Sequence, residues 1–327
     1  MKIYRTKDLL MTLVTGALAV FDHSLAQAGE TVTGDRITAV INVSKADAPP
    51  PPAVAVGYNT RTFGPSVGIG TNWFLFSFYG LHGGPATQNS DGSVFLPGNV
   101  AGSQYGISTA AQTKDGKAWT GIAFGGGGYF VATFSFTGGF QPGLSTWPAW
   151  WANVIEMMAP NGVTRATQWP GQASNYGDWI EADFLEYNNG TANKYGDTVH
   201  NWYGVIGSGN DVNPNFPAIT VPAGFNWATP HKFGFLWVPA TATTKGYATS
   251  YLDDVQVGGK AVWNQYVATD SPPPVDGVSA YSILDKYHLA LILSTGTNNP
   301  MTVQSVEVWQ ANTNQNSING NHDYPGH

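Results

Sequence analysis

Apolar and polar positions alternate along Tyr129–Phe136: Phe130, Ala132, Phe134 and Phe136 fall on one side, Thr133 and Ser135 on the other. A period of two is the pattern of a strand with one buried face. Apolar or alternating segments recur at Trp73–Tyr79, Asn153–Met157, Trp179–Tyr187, Thr198–Val205, Phe233–Val238, Tyr247–Val257, Tyr287–Leu293 and Thr302–Trp309. Turn residues such as Gly83-Gly84-Pro85 and Asp91-Gly92 separate them, and Pro272-Pro273-Pro274 marks a surface loop. No stretch predicts a helix longer than a turn or two, and no repeat of 20–50 residues is present. The Gly125–Gly128 run lacks the strand-then-helix setting of a phosphate loop and reads as a turn. Many short strands with Gly/Pro turns predict an all-β fold of two large antiparallel sheets packed face to face.

The two ends of the chain read differently. Lys2, Arg5 and Lys7 precede an apolar run from Leu9 to Phe21, and Ala26-Gln27-Ala28 has the small-x-small form of a cleavage site. Residues 1–28 are therefore expected to be an export signal, and the protein periplasmic or extracellular, with no membrane insertion after cleavage. Residues 29–55 contain Ala48-Pro49-Pro50-Pro51-Pro52-Ala53 and read as a polyproline II linker or an N-terminal arm. Residues 56–310 form the main domain, and 311–327, rich in Asn and Gly, a loose tail.

Composition narrows the functional classes. Charged residues make up 11% of the chain, against 12 Trp, 15 Tyr and 16 Phe. The net charge of −7 offers no basic surface for nucleic acid or an anionic membrane, and disfavours a strongly anionic polymer. With no cysteine, there are no disulfides, no thiol chemistry and no cysteine-held zinc. An exported chain without disulfides relies on its hydrophobic core, and 327 residues suffice to build one. A monomer is expected.

The most informative motif is acidic. The chain has five glutamates, and two of them enclose an aspartate in Glu181-Ala182-Asp183-Phe184-Leu185-Glu186. At this composition about 0.004 such matches arise by chance. Clustered carboxylates repel, so a protein that keeps them commonly needs one ionised and its neighbour protonated. Glycosidic-bond cleavage by two carboxyl groups uses that arrangement. A solvated acidic face is the plain alternative.

Geometry adds a demand. On a regular strand Glu181 and Asp183 share a face and Glu186 points away, so one cleft can hold all three only if a β-bulge near Phe184-Leu185 absorbs a residue. Aromatic residues flank the motif: Trp147-Pro148-Ala149-Trp150-Trp151 upstream, Trp179 within the strand, and Thr198-Val199-His200-Asn201-Trp202-Tyr203 downstream. Aromatic faces stack on sugar rings, which makes Trp147, Trp151, Trp179, His200 and Trp202 candidate substrate contacts. One of Trp150 and Trp151 is expected to point into the core. Glu156 and Glu307 read as a buttress or strand edge and a solvent-facing strand position, and Asp253-Asp254 as a tight turn rather than a cation site.

These segments resemble glycoside hydrolase family 16, in its laminarinase-like branch. The bulged E-x-D-x-x-E pattern matches Glu181, Asp183 and Glu186 at every fixed position. The W-P-A-F-W segment corresponds to Trp147–Trp151, and the histidine after the catalytic strand to His200. His231–Trp237 is similar to the H-x-Y/F-x-x-x-W strand, Tyr251–Asp254 to the next strand and turn, and Met301–Trp309 to the final strand. The similarity spans about residues 60–310. It implies a concanavalin-like β-jelly-roll sandwich of two antiparallel sheets, with a catalytic cleft on the concave face. It also implies a retaining endo-glycoside hydrolase acting on a polysaccharide, first of all a β-1,3- or mixed β-1,3/1,4-glucan. Glu181 is then the nucleophile, Glu186 the acid/base and Asp183 the helper between them. No cofactor or catalytic metal is implied, and structural calcium is left open. The chain departs from the family in Trp179, where a small residue is usual, and in Ala182 and Phe184-Leu185, so the substrate stays open. A non-catalytic lectin and a transglycosylase on the same scaffold remain alternatives.

Overall fold

A computed structural model describes residues 48–311 and Asn316, apart from positions 71, 77–80, 83–85, 99–103, 113–118, 139–146, 157–175, 188–192, 206–209, 267–279, 296–298 and 312–315. The expected export signal, the segment 29–47, the loop at Pro272-Pro273-Pro274 and nearly all of the expected tail lie outside the described residues.

Two antiparallel sheets form an all-β sandwich of the jelly-roll type. The back sheet runs Val255–Trp263, Gly246–Leu252, His231–Val238, Gly128–Phe136, Met301–Gln310, Val94–Leu96, Thr87–Gln88, with Thr60–Phe63 also on Met301–Gln310. The front sheet runs Asn210–Val212, Lys194–Val205, Tyr176–Glu186, Ala149–Val154, Leu289–Ser294, Gln104–Ser108, Phe74–Phe76. Hairpin neighbours such as Tyr176–Glu186 and Lys194–Val205 alternate with pairs far apart in sequence, such as Gly128–Phe136 and Met301–Gln310, so the chain crosses between the sheets.

Alternation explains the packing. Phe130, Ala132, Phe134 and Phe136 point inward from the back sheet and are buried. From the front sheet Ile180, Ala182 and Phe184 meet them. The Phe184 ring stacks on Phe235 at 4.3 Å, and the Trp150 ring meets Phe184 edge-on at 5.1 Å. Each such buried aromatic contributes roughly 1.5–3 kcal/mol of transfer free energy, so a chain without cross-links is held by its interior.

Strand boundaries differ from the sequence pattern in two places. Tyr247–Val257 is two strands, Gly246–Leu252 and Val255–Trp263, joined at Asp253-Asp254 with φ of 49° and 66°. Two successive residues at positive φ suit a two-residue hairpin turn, which Asp tolerates. The segment expected at Asn153–Met157 is Ala149–Val154, because the Trp-Trp pair belongs to the strand.

The proline segment is not wholly extended. Pro50 has polyproline geometry, but Pro51–Ala55 forms a short helix with Pro at its first positions, where no N–H is needed. Ala53 and Tyr58 pack with Tyr129, Val131, Leu236 and Trp309 on the outer face of the back sheet. The Tyr58 hydroxyl donates to the Trp237 carbonyl at 2.9 Å. Beyond the last strand, Asn316 accepts from the Gly125 amide and donates to Gln310. Among the described residues no helix is long and apolar enough to cross a membrane.

Candidate active site

The strand Tyr176–Glu186 carries the acidic motif between two partners, and its register against both contains an irregularity. Against Ala149–Val154, Trp151 opposes Asp183 and the next residue, Trp150, opposes Leu185. Against Lys194–Val205, Asp183 opposes Thr198 while Glu186 opposes Gly196. Three residues therefore advance on the acidic strand for two on its neighbour. Phe184 and Leu185 are both buried, and Glu181, Asp183 and Glu186 emerge on one face. The demand made by the motif spacing is met by this bulge.

Cross-strand pairing places the aromatic residues. Trp151 opposes Asp183, His200 opposes Glu181, and Trp202 opposes Trp179, so all share the outer face of the front sheet. Trp150 is the inward member of its pair, its indole N–H donating to the Phe233 carbonyl at 3.0 Å. The Trp147 indole donates to Glu186 Oε1 at 2.7 Å, and that of Trp151 to Ser294 Oγ at 3.3 Å. Glu181 and Glu186 are partly exposed, Asp183 and His200 buried. Trp179 is buried and Trp202 half-buried, so Trp202 offers more surface to a ligand.

His200 links the acids to a residue that the sequence pattern missed. Its Nε2 lies 3.3 Å from Asp183 Oδ2, and its Nδ1 lies 2.9 Å from both carboxylate oxygens of Asp211. Asp211 belongs to the strand Asn210–Val212, which pairs with Asn201–Tyr203. That short strand carries little hydrophobic pattern; the signal available was an acidic residue a hairpin's length beyond His200. Asn153 was also missed, although it opposes Glu181 directly and is fully buried.

Glu181, Asp183 and His200 each offer a ligand atom within 4.8 Å of the others. His200 lies between Asp183 and Asp211, one ring nitrogen toward each carboxylate, and the group as a whole stays acidic. Nearby carboxyls differ sharply. Asp178, one residue before Trp179, is fully buried beside Asn201, and burial pushes its carboxyl well above the usual range. Asp197, on the inward face two residues before Val199, is pushed up to about 7 by burial, against hydrogen bonding from Ser250.

The other acids lie elsewhere. Glu156 is buried and accepts from the backbone N–H and Nδ1 of His288, which makes it a buttress for the adjoining strand. Glu307 pairs with Arg61 at 3.5 Å on the back sheet. Asp253 and Asp254 engage His231 and Lys232 across their turn.

No protein-family model matches the sequence, and no curated protein does. Among solved structures, a GlcNAcα1-4Gal-releasing endo-β-galactosidase from Clostridium perfringens aligns at 12% identity and TM-score 0.45, over 75% of this chain and 59% of its own. This chain thus spans less than two thirds of that protein. An endo-1,3-β-glucanase from Streptomyces sioyaensis aligns at 15% identity and TM-score 0.43, over 75% and 90%. Peanut lectin aligns at 11% identity and TM-score 0.35, over 75% and 94%.

Proposed function

We propose that this protein is an exported, retaining endo-glycoside hydrolase that cleaves internal β-linkages of a neutral polysaccharide, a β-1,3- or mixed β-1,3/1,4-glucan first of all. The observation that carries the reading is the bulge at Phe184-Leu185, which turns Glu186 to the face of Glu181 and Asp183. A lectin gains nothing from three carboxylates brought together at the expense of a regular strand. The E-x-D-x-x-E resemblance supports the same roles.

In the first step Glu186 gives its proton to the glycosidic oxygen while the Glu181 carboxylate attacks the anomeric carbon. The leaving sugar departs, and a glycosyl ester forms on Glu181. Glu186, now ionised, takes a proton from water, whose oxygen displaces Glu181 and regenerates both groups. Trp147, bonded to Glu186 Oε1, orients the acid toward its substrate. Asp183 stands between the two. Trp151, Trp179 and Trp202 supply apolar faces for sugar rings, and His200 a polar edge.

Purified protein should release reducing ends from laminarin or lichenan. Glu181→Gln should lower the rate by at least about a thousandfold while leaving glucan binding intact. Binding without turnover on a panel of β-glucans, agars, carrageenans and xylans would identify a lectin instead. Proton NMR should show the β-anomer formed first; α-anomer first would overturn the double displacement.

A further inference from the structure

One buried oxygen at the candidate site is left without a hydrogen bond. Asp183 is 2% exposed, and its Oδ2 lies 3.3 Å from Nε2 of His200 without accepting from it or from any other described residue. A carboxylate oxygen sealed from water is costly to leave unpaired, and a bound cation is one of the few things that satisfies it. The other ring nitrogen explains why His200 does not donate there. Nδ1 lies 2.9 Å from both oxygens of Asp211, whose Oδ2 also accepts from the Asn213 side-chain amide at 2.7 Å. Asp211 is therefore the acceptor for the Nδ1 hydrogen, and a neutral imidazole then turns the lone pair of Nε2 toward Asp183. Two electron pairs converge on one buried point.

We propose that Glu181, Asp183 and Nε2 of His200 bind a divalent transition-metal ion of the Zn2+ class, and that the bound ion silences hydrolysis by taking up the nucleophile. The metal site stands on its own geometry, whereas the silencing rests on the hydrolase reading. Each of the three residues places a ligand atom within 4.8 Å of the others. Zinc bonds to nitrogen and oxygen are about 2.0–2.1 Å long, which sets neighbouring ligands of a tetrahedral ion about 3.3 Å apart. The contact between Asp183 and His200 already has that span. Glu181 is the partly exposed member, with the freedom to close the remainder. Behind the ring, Asp211 completes a carboxylate–histidine–metal arrangement that fixes the tautomer and aims Nε2. Trp202 restrains the same ring from one side, stacked at 5.2 Å and 17°. One imidazole with two carboxylates suits zinc better than calcium or magnesium, which take oxygen ligands. Glu186 is outside the triad and bonded to Trp147, so the ion captures the attacking carboxylate and leaves the acid.

Isothermal titration of the purified, EDTA-dialysed protein with ZnCl2 tests the site without reference to catalysis. Wild type should bind Zn2+, Asp183→Asn and His200→Gln should each weaken that binding by at least about tenfold, and Asp211→Asn, which only supports the ring, by about 10- to 100-fold. Failure of the wild type to bind overturns the proposal, and so does unchanged affinity in a folded Asp183→Asn. X-ray absorption at the zinc edge needs no variant. With one equivalent bound to wild type, it should show nitrogen and oxygen neighbours at about 2.0–2.1 Å and a single imidazole. Two or more imidazoles, or none, would place the ion elsewhere and overturn the site. Cleavage of laminarin or lichenan should fall in proportion to the occupied fraction and return when EDTA removes the ion. Full activity in the zinc-loaded protein would overturn the silencing. If no polysaccharide is cleaved with or without EDTA, the hydrolase reading fails, while the titration and the absorption spectrum still decide the metal site.

Discussion

Asp197 shows how far one buried carboxyl can couple stability to pH. It projects inward from the front sheet, where Ser250 bonds it and Gly258 lets the opposite sheet approach. A Cβ at Gly258 would lie 2.5 Å from Asp197 Oδ2, and its φ of +68° also suits glycine. The ordinary value of 3.8 for this group rises to about 7 in the fold. Below about pH 4 the native and unfolded chains are both protonated there, and no stability is lost. Between about 4 and 7 the unfolded chain releases the proton while the native protein keeps it, so stability falls as pH rises. Above about 7 the loss is complete, at roughly 4 kcal/mol. Asp197→Asn, which keeps the shape and removes the charge, should flatten this slope. Urea unfolding should find the variant more stable than wild type at pH 8, by about 1–3 kcal/mol, and similar at pH 4. An equal slope in both proteins would place the titration elsewhere. Asp178 is pushed in the same direction by its burial, so it adds to the same decline.

At the level of elements, two segments break the simple alternation, and they differ in legibility. The bulge was readable because chemistry gave it away: three acids have little reason to cluster unless they face one site, and period two would send Glu186 inward. The arm was not readable, because four prolines look alike whether they span a gap or start a helix. What decides is the partner surface. Tyr129, Val131, Leu236 and Trp309 come from three separate strands, and only their assembly creates the apolar patch that Ala53 and Tyr58 cover. Asp211 was hidden for a similar reason, since its meaning depends on a hairpin that brings it to His200. The arm's contribution can be measured. Tyr58→Ala removes a buried ring and a hydrogen bond to the Trp237 carbonyl, and should cost about 3 kcal/mol in urea unfolding. Because Tyr58 packs on the back sheet, glucan cleavage by the folded variant should stay within about twofold of wild type. A stability loss below about 0.5 kcal/mol would show that the arm rests on the sandwich without holding it.

For the whole molecule, the sheets were legible because strands such as Gly128–Phe136 carry an alternating apolar face, while their order was not. Gly128–Phe136 lies between His231–Val238 and Met301–Gln310, partners separated from it by about a third of the chain or more. Alternation says which side of a strand is buried but nothing about which strand lies next to it. Charge is the one global property read directly from the sequence that bears on function. A net charge of −7, with Glu181, Asp183, Glu186 and Asp211 gathered on one face, surrounds the site with negative potential. A neutral glucan feels none of this field, so its kcat/KM should change less than about twofold between roughly 20 and 300 mM NaCl. An anionic polysaccharide is repelled at long range, and screening shortens that range from about 20 Å to about 6 Å over the same interval. Any cleavage of a carrageenan or another sulfated chain should therefore start weak and rise several-fold with salt. Rates on both substrates, measured across the salt series, separate the two cases. A kcat/KM on a sulfated polymer that falls steeply with salt would mean that basic groups outside the described face recruit it, and would overturn the neutral-glycan reading.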